Sequence, residues 1–392
     1  MSTPDITIAD LRRRAKRRLP KILFDWIDGG AGDEHGLREN EAAFDRYRFL
    51  PRYLLDVSGR SQKKTLLGKV YDSPFGIAPT GYAGLFRPRA DLISADAAKR
   101  ANIPYIMSGT SIDSIERAME VAPDHCWYQL YGATDIAITR DLITRASNAG
   151  CRTLVITIDI PVAGKRERDI RNGFAIPLRF TPRLVLDGLL HPAWTFAYLR
   201  SGGMPTMANW APYAPAGANA MAVAEFANHH SYCVQTWDHL KQFRDLWAGK
   251  LVVKGVMHPD DAAMAIDLGA DGLVVSNHGG RQYDRAVAAP SMLRRLRQTI
   301  GPDVPLMMDG GIRRGSDILA ALCLGADFVF AGRAPLYGTV AYGTRGTELA
   351  LDILRSELDQ LMGQIGCLDL DPQKLPSFLM ESGRHGGYDA HE

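Results

Sequence analysis

The stretch SNHGGRQYD, residues 276–284, sets an imidazole (His278) and a guanidinium (Arg281) three residues apart on two glycines, directly after the apolar run GLVV. A purely structural loop would use the glycines but has little need of a histidine and an arginine that can face one point. Chemistry that takes a proton from an anionic substrate needs both. Histidine titrates near working pH, and a guanidinium grips a carboxylate through two parallel hydrogen bonds. Two later stretches, DGGIRRG (309–315) and AGR (331–333), join glycines to arginines where a run ends and a helix opens. Backbone N–H groups at a helix start, together with a guanidinium, form a cradle for phosphate.

Something must bring these stretches together. Short β-rich apolar runs recur at PFGIAP (74–79), PYIMS (104–108), CWYQLY (126–131) and TLVITID (153–159). After a long gap come LVVKG (251–255), GLVVSN (272–277), PLMMDGG (305–311) and FVFAGR (328–333). Their continuous apolarity fits strands buried on both faces of a parallel sheet. Helix-like stretches such as ADLISADAAKRAN and RGSDILAALCLGA separate most of them, which makes the units βα. DLGADGLVVS also echoes CLGADFVFAG, as repeated modules would.

Eight units predict an α/β fold, a (β/α)8 TIM barrel in a single domain. An N-terminal helical segment is expected over 1–72 and the barrel over 73–340. A long insertion after strand 4 covers about 175–230, and C-terminal helices and a tail cover 341–392. Polar residues gather where the runs end: Thr80, Ser108, Gln129, Tyr131, Thr157, Asp159, Lys254, Ser276 to Arg281, Asp309 to Arg313, and Arg333. In a barrel those positions converge on one mouth, where barrel active sites lie.

Bulk properties exclude other classes. The chain has 392 residues, 46% hydrophobic and 23% charged, enough for a large core. A net charge of +2 leaves no footprint for nucleic acid, and the basic run LRRRAKRRLPK (11–21) reads as the solvated face of an N-terminal helix. Cys126, Cys151, Cys233, Cys323 and Cys367 are odd in number, scattered and form no C-x-x-C pair. That speaks against a disulfide framework and a zinc site, so no metal is expected, and it fits a reducing compartment. The first residues hold no signal-peptide core and no run is apolar enough to span a bilayer, which predicts residence on the cytoplasmic side.

The stretches LPKILFDWIDGGAGDE, GIAPTG, WYQLYG, VITIDIPVAGKRERDIRNGF, LVVKGV, VVSNHGGRQYD, MMDGGIRRGSDILAALCLGAD and GRAPLYG cover nearly the whole chain in order. Together they resemble the FMN-dependent 2-hydroxy-acid oxidising family, which includes glycolate oxidase, L-lactate dehydrogenase and mandelate dehydrogenase. SNHGGRQ with DGGIRRG is the most specific pair, and VLDGLLHPAW, GGMPTMANW and ALCLGAD point to the mandelate dehydrogenase branch. The resemblance implies FMN as cofactor and oxidation of an (S)-2-hydroxy acid to the 2-oxo acid. It makes His278 the base, Asp159 its carboxylate partner, Arg281 the main anchor of the substrate carboxylate and Arg166 a second basic group beside it. Tyr131 would hydrogen-bond the reacting hydroxyl, and Lys254 would sit at the flavin N1 and C2 carbonyl. Pro79 and Thr80 would lie against the flavin, with Ser108, Gln129, Thr157 and Ser276 around its polar atoms. Asp309, Gly310, Gly311, Arg313, Gly332 and Arg333 would hold the ribityl chain and phosphate. These residue types suit the chemistry, because a carboxylate stabilises the imidazolium that forms and a lysine stabilises an anionic reduced flavin.

Three positions depart from glycolate oxidase. Trp26 stands where that enzyme has a tyrosine, Thr110 where it has a tryptophan, and Gly81 where oxidases often have alanine. The first two, which alter the substrate pocket, predict an aryl or long-chain hydroxy acid. The third predicts weak reactivity with oxygen and a quinone or other acceptor. The gap after the fourth run is too long for an ordinary connection. It holds Leu184, Leu186, Leu189, Leu190, Trp194, Phe196, Tyr198 and Trp210 among basic residues and prolines. The 180–215 segment is therefore expected to lie in a membrane interface, giving a peripheral inner-membrane protein; a lid or a subunit contact is the competing reading. The family further implies a homotetramer. Two alternatives stay open: an oxidase producing hydrogen peroxide, and a membrane-associated flavoprotein without catalysis, which intact Asp159, His278 and Arg281 oppose.

Overall fold

The computed structural model describes residues 4–178, 181–231 and 235–382. Cys233, Arg179, Phe180 and the tail from 383 onward lie outside the described residues. The eight apolar runs become eight parallel strands. They are β1 (Phe75–Ile77), β2 (Tyr105–Met107), β3 (Cys126–Leu130), β4 (Thr153–Thr157), β5 (Lys250–Val256), β6 (Gly272–Val275), β7 (Leu306–Asp309) and β8 (Phe328–Ala331). They pair in chain order, and β8 pairs with β1, Val329 opposite Phe75, which closes the barrel.

Alternation along each strand divides the buried residues into two sets. Ile106, Trp127, Val155, Val252, Val274, Met307, Phe328 and Phe330 fill the barrel interior as one cluster. Their neighbours, among them Leu154, Ile156, Leu251, Val253, Leu273 and Met308, pack under the surrounding helices in a second cluster. Both sets are removed from water, so the runs read as continuously apolar. Each fully buried aliphatic or aromatic side chain contributes up to about 1.5–3 kcal/mol.

The N-terminal segment carries short strands beside the expected helices. Besides the helices Ile8–Arg18, Lys21–Asp28 and His35–Ala42, it carries a strand, Tyr47–Phe49, paired with the C-terminal Leu379–Glu381. It also carries the hairpin Lys64–Leu66 and Lys69–Tyr71. Leu67 (φ 49°) and Gly68 (φ 87°) turn that hairpin in the left-handed region, as a two-residue hairpin turn requires. Leu66 and Tyr71 join the interior cluster, and Tyr71 meets the Phe328 ring edge-on at 5.8 Å, closing the barrel at its N-terminal end. The basic run lies on the helix Ile8–Arg18, which buries Ile8, Leu11 and Ala15. Its charges are partnered more than expected: Arg12 reaches Asp28 at 2.6 Å and Arg14 reaches Asp5 at 3.1 Å.

The insertion forms the helices Pro182–Leu190, Pro192–Arg200 and Ala220–His230. Of the eight apolar residues expected to face outward, only Leu186, Leu189, Leu190 and Phe196 do so, while Leu184, Trp194, Tyr198 and Trp210 are buried. Helical spacing explains the correction for one pair. Trp194 and Tyr198, four apart, share the inner face and stack at 4.9 Å. Val185 and Leu199 join the exposed set. Among the described residues no helix is long and apolar enough to cross a membrane.

Candidate active site

Two residues beyond the interior apolar side chain of each strand from β2 to β7, the same inward face turns polar. Ile106 is followed by Ser108, Trp127 by Gln129, Val155 by Thr157, Val252 by Lys254, Val274 by Ser276 and Met307 by Asp309. These residues, all buried, ring the barrel interior at its C-terminal end. Above them opens a cavity of about 880 Å³, in the range of small-molecule sites. Pro79, Thr80, Gly81, Thr110, Tyr131, Thr157, Arg166, Lys254, His278 and Arg281 line it, as do Asp309, Gly310, Gly311, Arg313, Gly332, Arg333 and Trp26. The structure thus gathers almost every expected residue around one space. Ser108, Gln129, Ser276 and Asp159 stand one layer behind the wall, with Gln129 Nε2 and Asp159 Oδ2 buried and without a partner.

His278 adopts φ 56°, and its amide donates to Ser276 Oγ at 3.0 Å. That bent backbone turns the ring so that Nδ1 lies 2.9 Å from Asp159 Oδ1. With the Nδ1 proton donated to the carboxylate, Nε2 keeps a lone pair and can act as a base. Burial pushes the imidazole below its ordinary value, against the upward pull of Asp159. Burial opposes the charge of Asp159, yet His278 and Lys254 hold its carboxyl below the usual range. Lys254, buried at 3% exposure, lies 3.0 Å from Asp309 Oδ2 and 2.9 Å from Ser276 Oγ. Burial works against its ammonium, but Asp309 and Asp159 raise its pKa, so it remains charged. A core lysine reaching for solvent would have no such partners.

Arg281 is held at the C-terminal end of the helix Lys21–Asp28. Its Nη1 donates to the carbonyls of Trp26 at 2.6 Å and Gly29 at 3.1 Å, and its guanidinium lies 4.5 Å over the Trp26 ring. Arg333 uses the same helix end, donating to Ile27 O (2.9 Å) and Gly29 O (2.8 Å), and also to Gly279 O (3.1 Å). The negative end of a helix dipole favours cations there. Burial, reinforced by Arg166 and Arg333, pushes the Arg281 pKa well down, and its Nη2 is buried without a partner. Five cationic side chains line the cavity against three carboxylates, Asp169, Glu225 and Asp309. Such a site is short of negative charge and takes an anion.

The expected phosphate cradle needs correction at one of its two helix starts. The amides of Arg313 and Arg314 donate to Asp317 Oδ2 at 2.8 and 2.9 Å, and Gly315 donates to Glu357 Oε2 at 2.9 Å. Carboxylates of the chain itself therefore occupy the helix start at Gly315–Cys323. Gly311 is required for a packing reason: a Cβ there (φ 81°) would sit 2.1 Å from Asn40 O. The other start, Arg333–Tyr342, has Gly332 as its cap and no side chain covering it.

Sequence reasoning missed several wall residues. Asp169 sits among Arg281 and Arg166, and burial raises its carboxyl despite them. Gln282 accepts the Gly164 amide at 3.1 Å and keeps its Nε2 unpartnered. Tyr82 and Phe174 pack on Trp26 at 5.8 and 5.6 Å. Asp169 lay in plain view inside GKRERD, whose acidic residues drew no attention beside Arg166.

Comparison with known proteins follows the same lines. The profile of the family described as FMN-dependent dehydrogenase matches residues 15–375. The (S)-mandelate dehydrogenase of Pseudomonas putida is 39% identical over 383 residues, which cover 98% of this chain and 96% of that one. The L-lactate dehydrogenase of Caulobacter vibrioides is 37% identical over 365 residues, 92% of this chain and 94% of that one. The crystal structure of the monotopic membrane protein (S)-mandelate dehydrogenase superposes with a TM-score of 0.92 at 39% identity, covering 97% of this chain and 100% of that one.

Proposed function

This chain belongs to the family of FMN-dependent dehydrogenases, and from that premise we propose that it oxidises an aryl or long-chain (S)-2-hydroxy acid to the 2-oxo acid. We further propose that a quinone or another acceptor, rather than oxygen, takes the electrons efficiently. The residues present fit the cofactor. Gln129 Nε2 and Thr157 Oγ1 are buried polar atoms with no partner inside the protein, and the cationic excess of the wall suits a phosphate. Lys254, Ser108, Gln129, Thr157 and Ser276 would hold the flavin's polar edge, with the main chain at Pro79, Thr80 and Gly81 beside its face. Asp309, Gly310, Gly311, Arg313, Gly332 and Arg333 would hold the ribityl phosphate. When bound, FMN accepts the two electrons that leave the α-carbon.

The chain's own residues do the rest. Arg281, with Arg166 beside it, binds the substrate carboxylate through the N–H groups left free of protein partners. His278 takes a proton at Nε2, Asp159 stabilises the imidazolium, and Tyr131 bonds the reacting hydroxyl. One observation carries this reading: an imidazole braced on a carboxylate lines the same cavity as a guanidinium with a buried, unpartnered nitrogen. Anaerobic mixing with a panel of 2-hydroxy acids in stopped flow tests it. Bleaching of the flavin absorbance by aryl or long-chain acids faster than by glycolate is expected. No bleaching by any of them, or faster bleaching by glycolate, overturns it.

The membrane reading is supported by the exposed apolar face of Val185, Leu186, Leu189, Leu190, Phe196 and Leu199, and by a relative described as a monotopic membrane protein. We place the protein at the cytoplasmic face of the inner membrane as a peripheral homotetramer. Replacing the outer apolar residues is expected to release it from vesicles with its flavin retained.

A further inference from the structure

The inner side of the insertion is bonded to the loops that wall the cavity. Trp210, fully buried, donates its indole N–H to the Gly109 carbonyl at 3.0 Å. Asn209, also buried, accepts the Ile115 amide at 3.0 Å and donates to Ser111 Oγ and Asp113 O, each at 3.4 Å. The Ala208 amide donates to Ile112 O at 3.1 Å. Arg145, paired with Glu116 at 2.9 Å, fastens the Asn209 carbonyl from outside at 3.1 Å. Residues 207–213 therefore lie as a strap along the loop 108–115 that follows β2.

That loop reaches the cavity. Thr110 lines it, and its carbonyl receives the Tyr82 amide at 3.0 Å. The Gly109 amide donates to Gln129 Oε1 at 3.1 Å. On its other side Thr110 Oγ1 fills the space that a Cβ on Gly81 would need and lies 3.1 Å from Ser108 Oγ. Tyr82 in turn meets Trp26 edge-on, and Trp26 carries the Arg281 guanidinium. A second indole of the insertion, Trp194, donates to Leu85 O at 3.0 Å in the short helix Ala83–Phe86 that follows Tyr82. From Trp210 through Gly109 and Thr110 to Tyr82 each link is a bonded or packed contact between buried groups, and Tyr82 passes it to the half-buried Trp26.

We propose that the strap is a positioning element for the substrate end of the cavity, with Trp210 and Asn209 as positioning residues that fix Thr110 and Tyr82, the part of the wall that a large substrate side chain would touch. The inference rests on the reading of the cavity as a 2-hydroxy-acid site. Without its indole donor the buried Gly109 carbonyl lacks a partner, and relaxation of the loop is the cheapest way to find one. The pocket wall then moves where a large side chain would touch it, and much less where the carboxylate and hydroxyl sit.

The test compares Trp210→Phe with the unaltered full-length holoenzyme, and uses Asn209→Ser as a second variant should the first fold poorly. Four quantities are read: flavin content, sedimentation with vesicles of phosphatidylethanolamine and phosphatidylglycerol, the Kd of 2-oxo acids from the flavin difference spectrum, and KM and kcat for small and aryl hydroxy acids. Flavin content and vesicle binding are expected to hold. The Kd and KM of aryl acids are expected to rise about tenfold while kcat falls less than about threefold, and glycolate-sized acids change little. An equal change for all acids, or no change, overturns the strap. A control pair, Leu189→Ser with Phe196→Ser, should lose vesicle binding with every Kd intact; a shifted aryl Kd there assigns the effect to the outer face and also overturns it. If no hydroxy acid bleaches the unaltered protein, the functional reading fails instead.

Discussion

The two ends of the barrel are made by the same eight strands and treat the interior in opposite ways. At the N-terminal end it closes on carbon: Leu66 and Tyr71 of the hairpin pack with Trp127 and Phe328. At the C-terminal end, two residues farther along the strands β3 to β7, the interior positions are Gln129, Thr157, Lys254, Ser276 and Asp309. There the polar capacity exceeds what the protein satisfies. Five of the nine buried side-chain atoms without a partner among the described residues are Gln129 Nε2, Thr157 Oγ1, Asp159 Oδ2, Arg281 Nη2 and Gln282 Nε2. Each such atom costs about 1–3 kcal/mol, so the plugged end stabilises a scaffold that tolerates an under-satisfied one. Stability and chemistry are separated along the strand axis, and substitutions at the two ends should fail differently.

The largest effect is expected at the open end. Asp159→Asn removes the carboxylate that orients His278 and stabilises its protonated form. A loss of about a thousandfold in kcat/KM is expected, ~4 kcal/mol, with flavin content and melting temperature nearly unchanged. A loss below tenfold would mean that the pair is structural. Next comes the plugged end. Tyr71→Ala opens a cavity among aromatic rings and should cost about 3 kcal/mol of unfolding free energy by denaturant titration. KM and kcat of the remaining folded protein should stay put; a changed KM would erase the division between the ends. Arg281→Lys, back at the mouth, keeps the charge but loses the planar fork. KM is expected to rise about thirtyfold, ~2 kcal/mol, and the 2-oxo-acid Kd should rise with it. A rise in neither would remove Arg281 as the carboxylate anchor.

Much of this division was legible in the residues, for a physical reason. A strand buried on both faces must be apolar along its whole length, so a polar residue at its end stands out. Lys254 after LVV and Asp309 after LMM could be found in that way, and alternation adds that they point inward. His278 and Arg281 were legible because the two glycines between them serve the turn and left the pair no evident packing role. Other features carry no such mark. The carbonyls of Trp26, Ile27 and Gly29 that hold Arg281 and Arg333 belong to the main chain, so only Trp26 could be singled out from the sequence. The hairpin turn hides behind Leu67, a residue rarely placed in the left-handed region. Asp317 looks like any residue of an amphipathic helix until it takes the amides a phosphate was expected to use. Trp194 and Trp210 read as lipid-facing aromatics because composition does not reveal which side of a segment meets the protein.

The smallest expected effect concerns pH and bears on the open end alone. An imidazole with its ordinary pKa near 6.5 would be half protonated at that pH, and a base that must be neutral would have lost half its rate. Burial pushes His278 below that value, so more than half of it still carries a free lone pair there. The acid limb of kcat/KM should therefore lie below pH 6.5, and the value at pH 6.5 should remain above half of the plateau reached at pH 8. The sign is fixed by desolvation, since taking the ring out of water disfavours the charged form, and Asp159 opposes it without reversing it. Asp159→Asn removes the opposing pull, so the limb of the residual activity should move further toward acid. A limb above pH 6.5 in the unaltered enzyme would mean that the carboxylate outweighs burial and that His278 rests protonated. The open end would then be balanced by its own ion pair rather than left under-satisfied for a ligand.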